Sequence, residues 1–128
     1  MRLFLPVAVI FLALSWFGSA AAADHEGCLA LHDAAWTGDT SQLESMLRQG
    51  VGVDCRDTKG LTALMKAALM GSPAAVRLLL HNGAGVNVKD NSGSTALSYV
   101  MIFGIFSGED MGDFDDVFRL LKNAGAVE

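Results

Sequence analysis

The chain alternates between apolar groups at helical spacing and short polar segments that contain Gly, Asp and Ser. Between residues 62 and 83 this pattern predicts two short helices. Thr62 is placed to cap the first, and Ser72 followed by Pro73 is placed to cap the second. Gly83 is placed to end the second helix, because Gly adopts left-handed backbone at low cost. The apolar faces of this predicted pair consist of Leu64, Ala67, Ala68, Val76, Leu79 and Leu80.

The same pattern recurs along the chain at a spacing of 33 residues. A fixed period of this length is typical of proteins built from stacked structural repeats. In the earlier copy, Asp39 takes the capping position that Ser72 holds in the middle copy. The matched positions are Gly60 and Gly93, Thr62 and Thr95, Ala63-Leu64 and Ala96-Leu97, Gly50 and Gly83, and Leu31 and Ala34-Ala35 with Leu64 and Ala67-Ala68.

The segment "DTKGLTALMKAALMGSPAAVRLLLHNGAGVNVKD", residues 57–90, resembles the ankyrin repeat nearly throughout. Ala63 replaces the usual Pro, and Met65 replaces the usual His. Weaker copies are "LHDAAWTGD" at 31–39 and "DNSGSTALSYV" at 90–100. The resemblance implies an all-α solenoid of about three stacked helix-turn-helix repeats, at about 28–59, 60–92 and 93–126, within a domain spanning 24–128. The turns "RDTKG" and "KDNSG" are expected to form β-hairpin turns.

The N-terminal segment predicts export. Arg2 precedes an apolar run from Leu3 to Phe17, and the small residues of "GSAAAAD" follow. These features are typical of a signal peptide, here expected over residues 1–23, with an uncleaved membrane anchor as the alternative. Since the apolar run is shorter than the ~20 residues that span a bilayer, cleavage is favoured. The mature protein is therefore expected in the periplasm or outside the cell.

Charge narrows the class of partner. The chain has 9 basic and 14 acidic residues, and loss of Arg2 with the signal peptide leaves eight against fourteen, a net charge of about −6. An acidic protein is poorly suited to bind nucleic acid or an anionic membrane surface. The expected partner is another protein, with no membrane contact after removal of the signal peptide.

Cys28 and Cys55 are the only cysteines in the chain. Export would place them in an oxidising compartment, where disulfides form and persist. In the repeat register, Cys28 lies at the entry to the first helix and Cys55 in the following turn. We predict a disulfide between them; the alternative is a pair of reduced thiols.

The sequence gives little support to catalysis. The three histidines, His25, His32 and His81, have no Ser or Cys nucleophile that can be placed beside them, and His32 falls at the His position of the repeat signature. Neither an enzyme nor a cofactor is therefore expected.

Two segments raise the question of metal binding. The segment 109–116 lacks the order of ligands found in calcium loops, so a solvated acidic loop is favoured. Cleavage after Ala22 would create Ala23-Asp24-His25, which resembles an amino-terminal copper or nickel motif, although such termini are mostly mobile. No metal site is predicted as the principal reading. The acids concerned are Glu109, Asp110, Asp113, Asp115 and Asp116.

The resemblance also implies a binding surface, because ankyrin repeats generally meet partners through hairpin tips and exposed inner-helix positions. We call the six inner-helix positions the inner-helix strip: Trp36, Thr37, Leu69, Met70, Ile102 and Phe103. Five of these six are large and apolar, which is typical of a protein contact. The alternative is that one residue of each pair packs into the neighbouring helix. The predicted hairpin tips are Thr58, Lys59, Leu61, Asn91 and Ser92.

The third copy departs from the pattern. Val100 and Met101 replace the paired alanines, and Gly125 follows Gly83 by 42 residues instead of 33. The sequence predicts that the helix ends near Gly104, that the insertion at 105–113 forms a loop, and that the closing helix begins at Phe114. Whether this insertion caps the stack or contacts a partner stays open.

Three functions are compatible with these features. The first is a non-catalytic adaptor or modulator of another exported protein. The second is an inhibitor or immunity-type protein. The third is a metal-handling protein that uses the N-terminus and the acidic loop.

Overall fold

The structure is a computed structural model that describes residues 25–106 and 111–127. The predicted signal peptide at 1–23 lies outside these residues. No helix among the described residues has the length and apolar character needed to cross a membrane. The described helices are α1 (25–37), α2 (Thr40–Arg48), α3 (Ala63–Leu69), α4 (Pro73–His81), α5 (Ala96–Phe106) and α6 (Met111–Asn123).

The helices form three stacked pairs, which confirms the predicted all-α repeat solenoid. α3 packs against α4 and α5, and α4 lies between α2 and α6. The core repeats with the sequence period: Leu31, Leu64 and Leu97 are each at most 1% exposed. Because each pair buries only part of its apolar surface by itself, the pairs stabilise one another by stacking.

Three of the four predicted helix caps are confirmed. The Thr62 hydroxyl accepts a hydrogen bond from the Met65 N–H at 3.3 Å, and the Thr95 hydroxyl accepts the equivalent bond from Ser98 at 3.3 Å. Asp39 caps α2 in the same way. Ser72 occupies the cap position and Pro73 begins α4, but the Ser72 side chain makes no capping hydrogen bond.

Two tight turns lie where the sequence places them. In each, one Asp carboxylate oxygen, of Asp57 or Asp90, accepts hydrogen bonds of 2.8–2.9 Å from the backbone N–H groups two and four residues later. The Asn91 N–H donates to the Lys59 carbonyl at 3.0 Å and joins one turn to the next. The described residues include no β-strand, so these turns are linked without a strand ladder.

The predicted end of the third inner helix is wrong. α5 continues through Gly104 to Phe106, and α6 begins at Met111, before the predicted start at Phe114. Gly38 and Gly71 end their helices with φ of 73° and 61°, whereas Gly104 lies inside a helix without a positive φ. The insertion therefore lengthens both helices, and only residues 107–110 between them are not described.

Candidate functional site

The inner-helix strip is largely exposed, as the sequence predicts. Exposed fractions are 47% for Trp36, 46% for Met70, 49% for Ile102 and 44% for Phe103. Leu69 is the exception: it is half-buried and packs into the stack, as the alternative reading of that pair predicts. Since α1, α3 and α5 carry these side chains at equivalent repeat positions, the structure presents one apolar side chain or more from each inner helix.

The last turns of α5 expose more apolar surface than the strip alone. Ile105 and Phe106, whose packing the sequence leaves open, are 75% and 81% exposed, and Met101 is 42% exposed. These residues belong to the part of α5 that extends to the end of the repeat and beyond it. A contiguous exposed apolar segment of this kind is typical of a surface that contacts another molecule.

A groove of about 250 Å³ lies between α5 and α6, and we call it the C-terminal groove. Gly104 leaves space at its base, and Phe114 and Phe118 form one wall. The Asp115 carboxylate at the rim accepts a hydrogen bond from Arg119 at 3.1 Å. The remaining lining is apolar and comes from Val100, Met101 and Ile105.

A second groove, of about 420 Å³, lies between the two turns, and we call it the tip groove. The structure brings all five predicted hairpin-tip residues together in its lining. Asp90 and Tyr99 complete the lining and are absent from the predicted site. The five predicted residues are Thr58, Lys59, Leu61, Asn91 and Ser92.

Asp90 and Tyr99 form the polar base of the tip groove. The Ser92 hydroxyl donates to Asp90 at 2.6 Å, and the Tyr99 hydroxyl donates to the other carboxylate oxygen. Hydrogen bonds from these two hydroxyls hold the pKa of Asp90 well below its ordinary value. The pKa of Tyr99 is raised, since its proton is held by the Asp90 carboxylate and the ring is partly buried. Both groups therefore keep their charge states, anionic and neutral, at neutral pH.

A period comparison could have found Tyr99. Asp57 and Lys66 lie 33 residues before Asp90 and Tyr99. The Lys66 ammonium forms an ion pair of 3.3 Å with Asp57. Burial raises the pKa of Asp57, but backbone hydrogen bonds and the Lys66 charge outweigh it and lower the value. The same helix position thus stabilises the turn carboxylate in both repeats, with a different donor in each.

The two cysteines flank a buried histidine. The Sγ atoms of Cys28 and Cys55 are 2.25 Å apart and their Cα atoms are 5.9 Å apart, within the range that a disulfide needs. His32 is 2% exposed, and its Nε2 donates to the Cys55 carbonyl at 2.8 Å. Burial lowers the pKa of His32, so the imidazole is neutral at pH 7. The position of His32 within the packed core agrees with a scaffold role.

The residues proposed for metal handling are not assembled into a site in the described part of the chain. Ala23, Asp24, Glu109 and Asp110 lie outside it, His25 is exposed, and Asp113, Asp115 and Asp116 are exposed on α6. Within the described residues, the group of three ligand-bearing side chains that lie together is Cys28, His32 and Cys55.

The comparisons with known proteins agree with the repeat architecture. A family model described as ankyrin repeats in three copies matches residues 31–126. No curated protein matches the sequence significantly.

Two solved structures are similar to the chain. One is a chain of the Bd0816 predatory endopeptidase from Bdellovibrio bacteriovorus in complex with immunity protein Bd3460, at 31% identity and a TM-score of 0.64, over 77% of this chain and 47% of that one. The other is the human ASB11 ankyrin repeat domain, at 30% identity and a TM-score of 0.63, over 76% of this chain and 40% of that one. The chain therefore spans less than half the length of each.

Proposed function

Because the chain belongs to the ankyrin-repeat family, whose fold generally serves as a non-catalytic protein-interaction module, we propose that it binds another exported protein and modulates that protein's activity. The observation that carries the proposal is the exposed apolar surface of the inner helices. Trp36, Met70 and Phe103 come from three successive repeats and are each more than 40% exposed. Large aromatic side chains supply much of the binding energy in protein interfaces when a partner covers them.

The tip groove supplies a polar border to this apolar surface. Thr58, Lys59, Asn91 and Ser92 are exposed on the turns that connect the helix pairs. Protein interfaces commonly combine an apolar centre with a polar rim that remains in contact with water. In the proposed complex, the inner-helix strip forms the apolar centre and the turns form one edge of the rim.

The second candidate function is inhibition of an exported enzyme, as in an immunity-type protein. The observation that favours it is the 31% identity to a chain of a structure that contains an endopeptidase and an immunity protein. Stoichiometric addition of the purified chain to its isolated partner distinguishes the two functions. An inhibitor lowers the partner's activity in proportion to the fraction bound, whereas an adaptor forms the complex and leaves that activity unchanged.

Affinity capture from the exported fraction, followed by mass spectrometry, tests the binding proposal. Phe103→Asp and Trp36→Ala should each reduce recovery of the partner at least tenfold, because each removes an exposed apolar contact. Val127→Asp is the matched control, since Val127 is 63% exposed but lies beyond α6, outside the strip. The circular dichroism spectra of all three variants should match that of the wild type.

Two results would overturn the binding proposal as stated. Full recovery of the partner by both strip variants would show that the inner-helix strip is not the interface. Equal loss in the Val127→Asp control would show that any added charge disturbs the complex.

The proposed compartment depends on cleavage of residues 1–23, which would leave a domain at 24–128. Intact mass of the exported protein tests this directly. A Cys28–Cys55 disulfide is part of the same proposal, and closing a loop of 27 residues would stabilise the fold by about 3.5 kcal/mol in the chain-entropy model. Two titratable thiols in the exported protein without reductant would contradict it.

A further inference from the structure

We propose that the side chains of Cys28, His32 and Cys55, once their sulfurs are reduced, bind one divalent metal ion of the zinc class. The Nε2 atom of His32 lies 3.7 Å from the Cys28 sulfur and 3.8 Å from the Cys55 sulfur. These three ligand atoms all lie within 4.8 Å of one another. The cluster is separate from the inner-helix strip and from both grooves.

The observed nitrogen–sulfur distances suit a tetrahedral ion. With Zn–S bonds of about 2.3 Å and Zn–N bonds of about 2.05 Å, two ligands at the tetrahedral angle are ~3.6 Å apart if one is sulfur and one is nitrogen. The imidazole therefore already lies close to the required distance from both sulfurs. Two thiolates on the same ion would be ~3.8 Å apart, so only the sulfur pair has to separate.

The fold brings the three ligands together from two elements. Cys28 and His32 are four residues apart on α1, so their side chains share one face of that helix. Cys55 lies in the loop before the first turn, and its carbonyl accepts the His32 hydrogen bond. Both cysteines are half-buried, while His32 is buried, so an ion can approach from the sulfur side. That open side leaves a fourth position for water.

Metal binding and the disulfide exclude each other at this site. A dithiol reductant gives two electrons and two protons to the S–S bond, which breaks to form two thiols while the reductant becomes a disulfide. The ion then displaces the two thiol protons. The His32 proton moves from Nε2 to Nδ1, a buried nitrogen without a hydrogen-bond partner in the described structure. The Nε2 lone pair becomes the third ligand, at the cost of the hydrogen bond to Cys55.

Cobalt titration of the full chain tests the proposal, because thiolate-bound Co²⁺ shows intense sulfur-to-metal charge-transfer bands. Protein reduced with a phosphine, which avoids a chelating dithiol, should bind Co²⁺ at one ion per chain and release it to Zn²⁺. The oxidised protein should show no such bands. Absence of the bands in the reduced protein, whether or not its helical circular dichroism persists, overturns the proposal.

Variants assign the ligands. Cys28→Ser and His32→Gln should each weaken Co²⁺ binding at least tenfold, whereas His81→Gln, which changes an exposed histidine elsewhere, should bind as the wild type does. Helical circular dichroism is recorded for each variant with and without metal. If His32→Gln is folded and binds Co²⁺ with unchanged affinity and spectrum, the imidazole is not a ligand and the proposed site is wrong.

Discussion

The middle helix pair, α3 and α4, and the third pair, α5 and α6, share one sequence register but differ in shape. α3 has 7 residues and ends at a glycine with positive φ, Gly71, whereas α5 has 11 residues and passes through the equivalent Gly104. Leu69 is half-buried, whereas Ile102 at the same repeat position is exposed. A conserved period therefore fixes where a helix begins more firmly than where it ends.

Phe114 explains much of this difference. Its ring lies against Gly71, where an added Cβ would be 2.9 Å from ring atoms, and its Cβ lies near Gly104. One aromatic side chain from α6 thus covers the glycine that ends α3 and the glycine inside α5. The longer connection between α5 and α6 is compatible with this placement of Phe114, which leaves the end of α5 exposed beyond it.

The largest expected effect concerns the two outer helices. Leu79 in α4 and Leu121 in α6 are both fully buried and hold the same position relative to Gly83 and Gly125. Leu79→Ala should lower the free energy of unfolding by about 3–5 kcal/mol, because α4 lies between α2 and α6 and its cavity has little room to collapse. Leu121→Ala should cost about 2–3 kcal/mol, since α6 can shift to fill the space.

Urea denaturation of both variants measures these changes. The values are compared at equal m-value, so that an altered unfolded state is not mistaken for a cavity effect. An equal or larger loss for Leu121→Ala would contradict the idea that the third pair adapts more easily than the middle pair.

The next comparison uses the two glycines. Gly71→Ala should lower the free energy of unfolding by about 1–3 kcal/mol, because φ is 61° and the new Cβ would meet the Phe114 ring. Gly104→Ala should instead be neutral or raise it by up to about 1 kcal/mol. Gly104 is helical, Ala favours helices over Gly, and the added Cβ would lie 3.6 Å from the Phe114 Cβ, at ordinary contact distance.

Thermal and urea unfolding of the pair provide the measurement. Opposite signs at equivalent repeat positions are the diagnostic result. A destabilised Gly104→Ala variant would show that α5 needs glycine there, as a shorter helix ending at Gly104 would.

A smaller difference is expected between the two turn carboxylates. Tyr99→Phe removes a hydrogen bond to buried Asp90 and should cost about 1–2 kcal/mol. Lys66→Met removes the ion pair with Asp57 but keeps an apolar stem, and should cost under about 1 kcal/mol because both side chains keep contact with water. Added salt should weaken the wild-type contribution of Lys66 more than that of Tyr99, a difference that urea denaturation at two ionic strengths can detect.

The smallest effect is a change in the pH dependence of stability. The folded pKa of Asp90 lies below its ordinary value of 3.8, so ionised Asp90 stabilises the fold above that value and loses this contribution as the pH falls below it. Asp90→Asn should therefore be less stable at neutral pH and show a shallower decline in stability between about pH 5 and pH 2.

Unfolding measured at several pH values tests this expectation. Asp113→Asn serves as the control, since Asp113 is exposed on α6, and it should follow the wild-type profile. An unchanged slope in Asp90→Asn would mean that Asp90 does not contribute to acid unfolding.

Much of the fold could be predicted because the repeat period carries local chemistry with it. Thr62 and Thr95 cap helices as expected, since a hydroxyl before a helical group has one favourable use at that position. Gly83 adopts a φ of 85°, as its place after an apolar helix predicts. The five hairpin-tip residues lie together because the turns that carry them are adjacent in the stack.

Other features depend on packing that a single sequence does not display. Gly104 has the same residue type and register as Gly71, and only the position of Phe114 and the longer connection distinguish their backbones. Ser72 has the right residue type for a cap, yet its hydroxyl makes no capping bond. Tyr99 was missed because its pairing with Asp90 replaces an ion pair by a neutral donor, which a search for complementary charges does not detect.

The backbone links between the turns have a consequence for how recognition can change. The Asn91 N–H and side chain bond to the carbonyls of Lys59 and Thr58, and Arg56 bonds to the carbonyl of Lys89. The spacing of the turns is thus fixed largely by main-chain acceptors, while the side chains of Thr58, Lys59 and Ser92 face water. Substitution at these three positions can alter which partner is selected while the spacing is retained, so specificity can evolve here with little cost to folding.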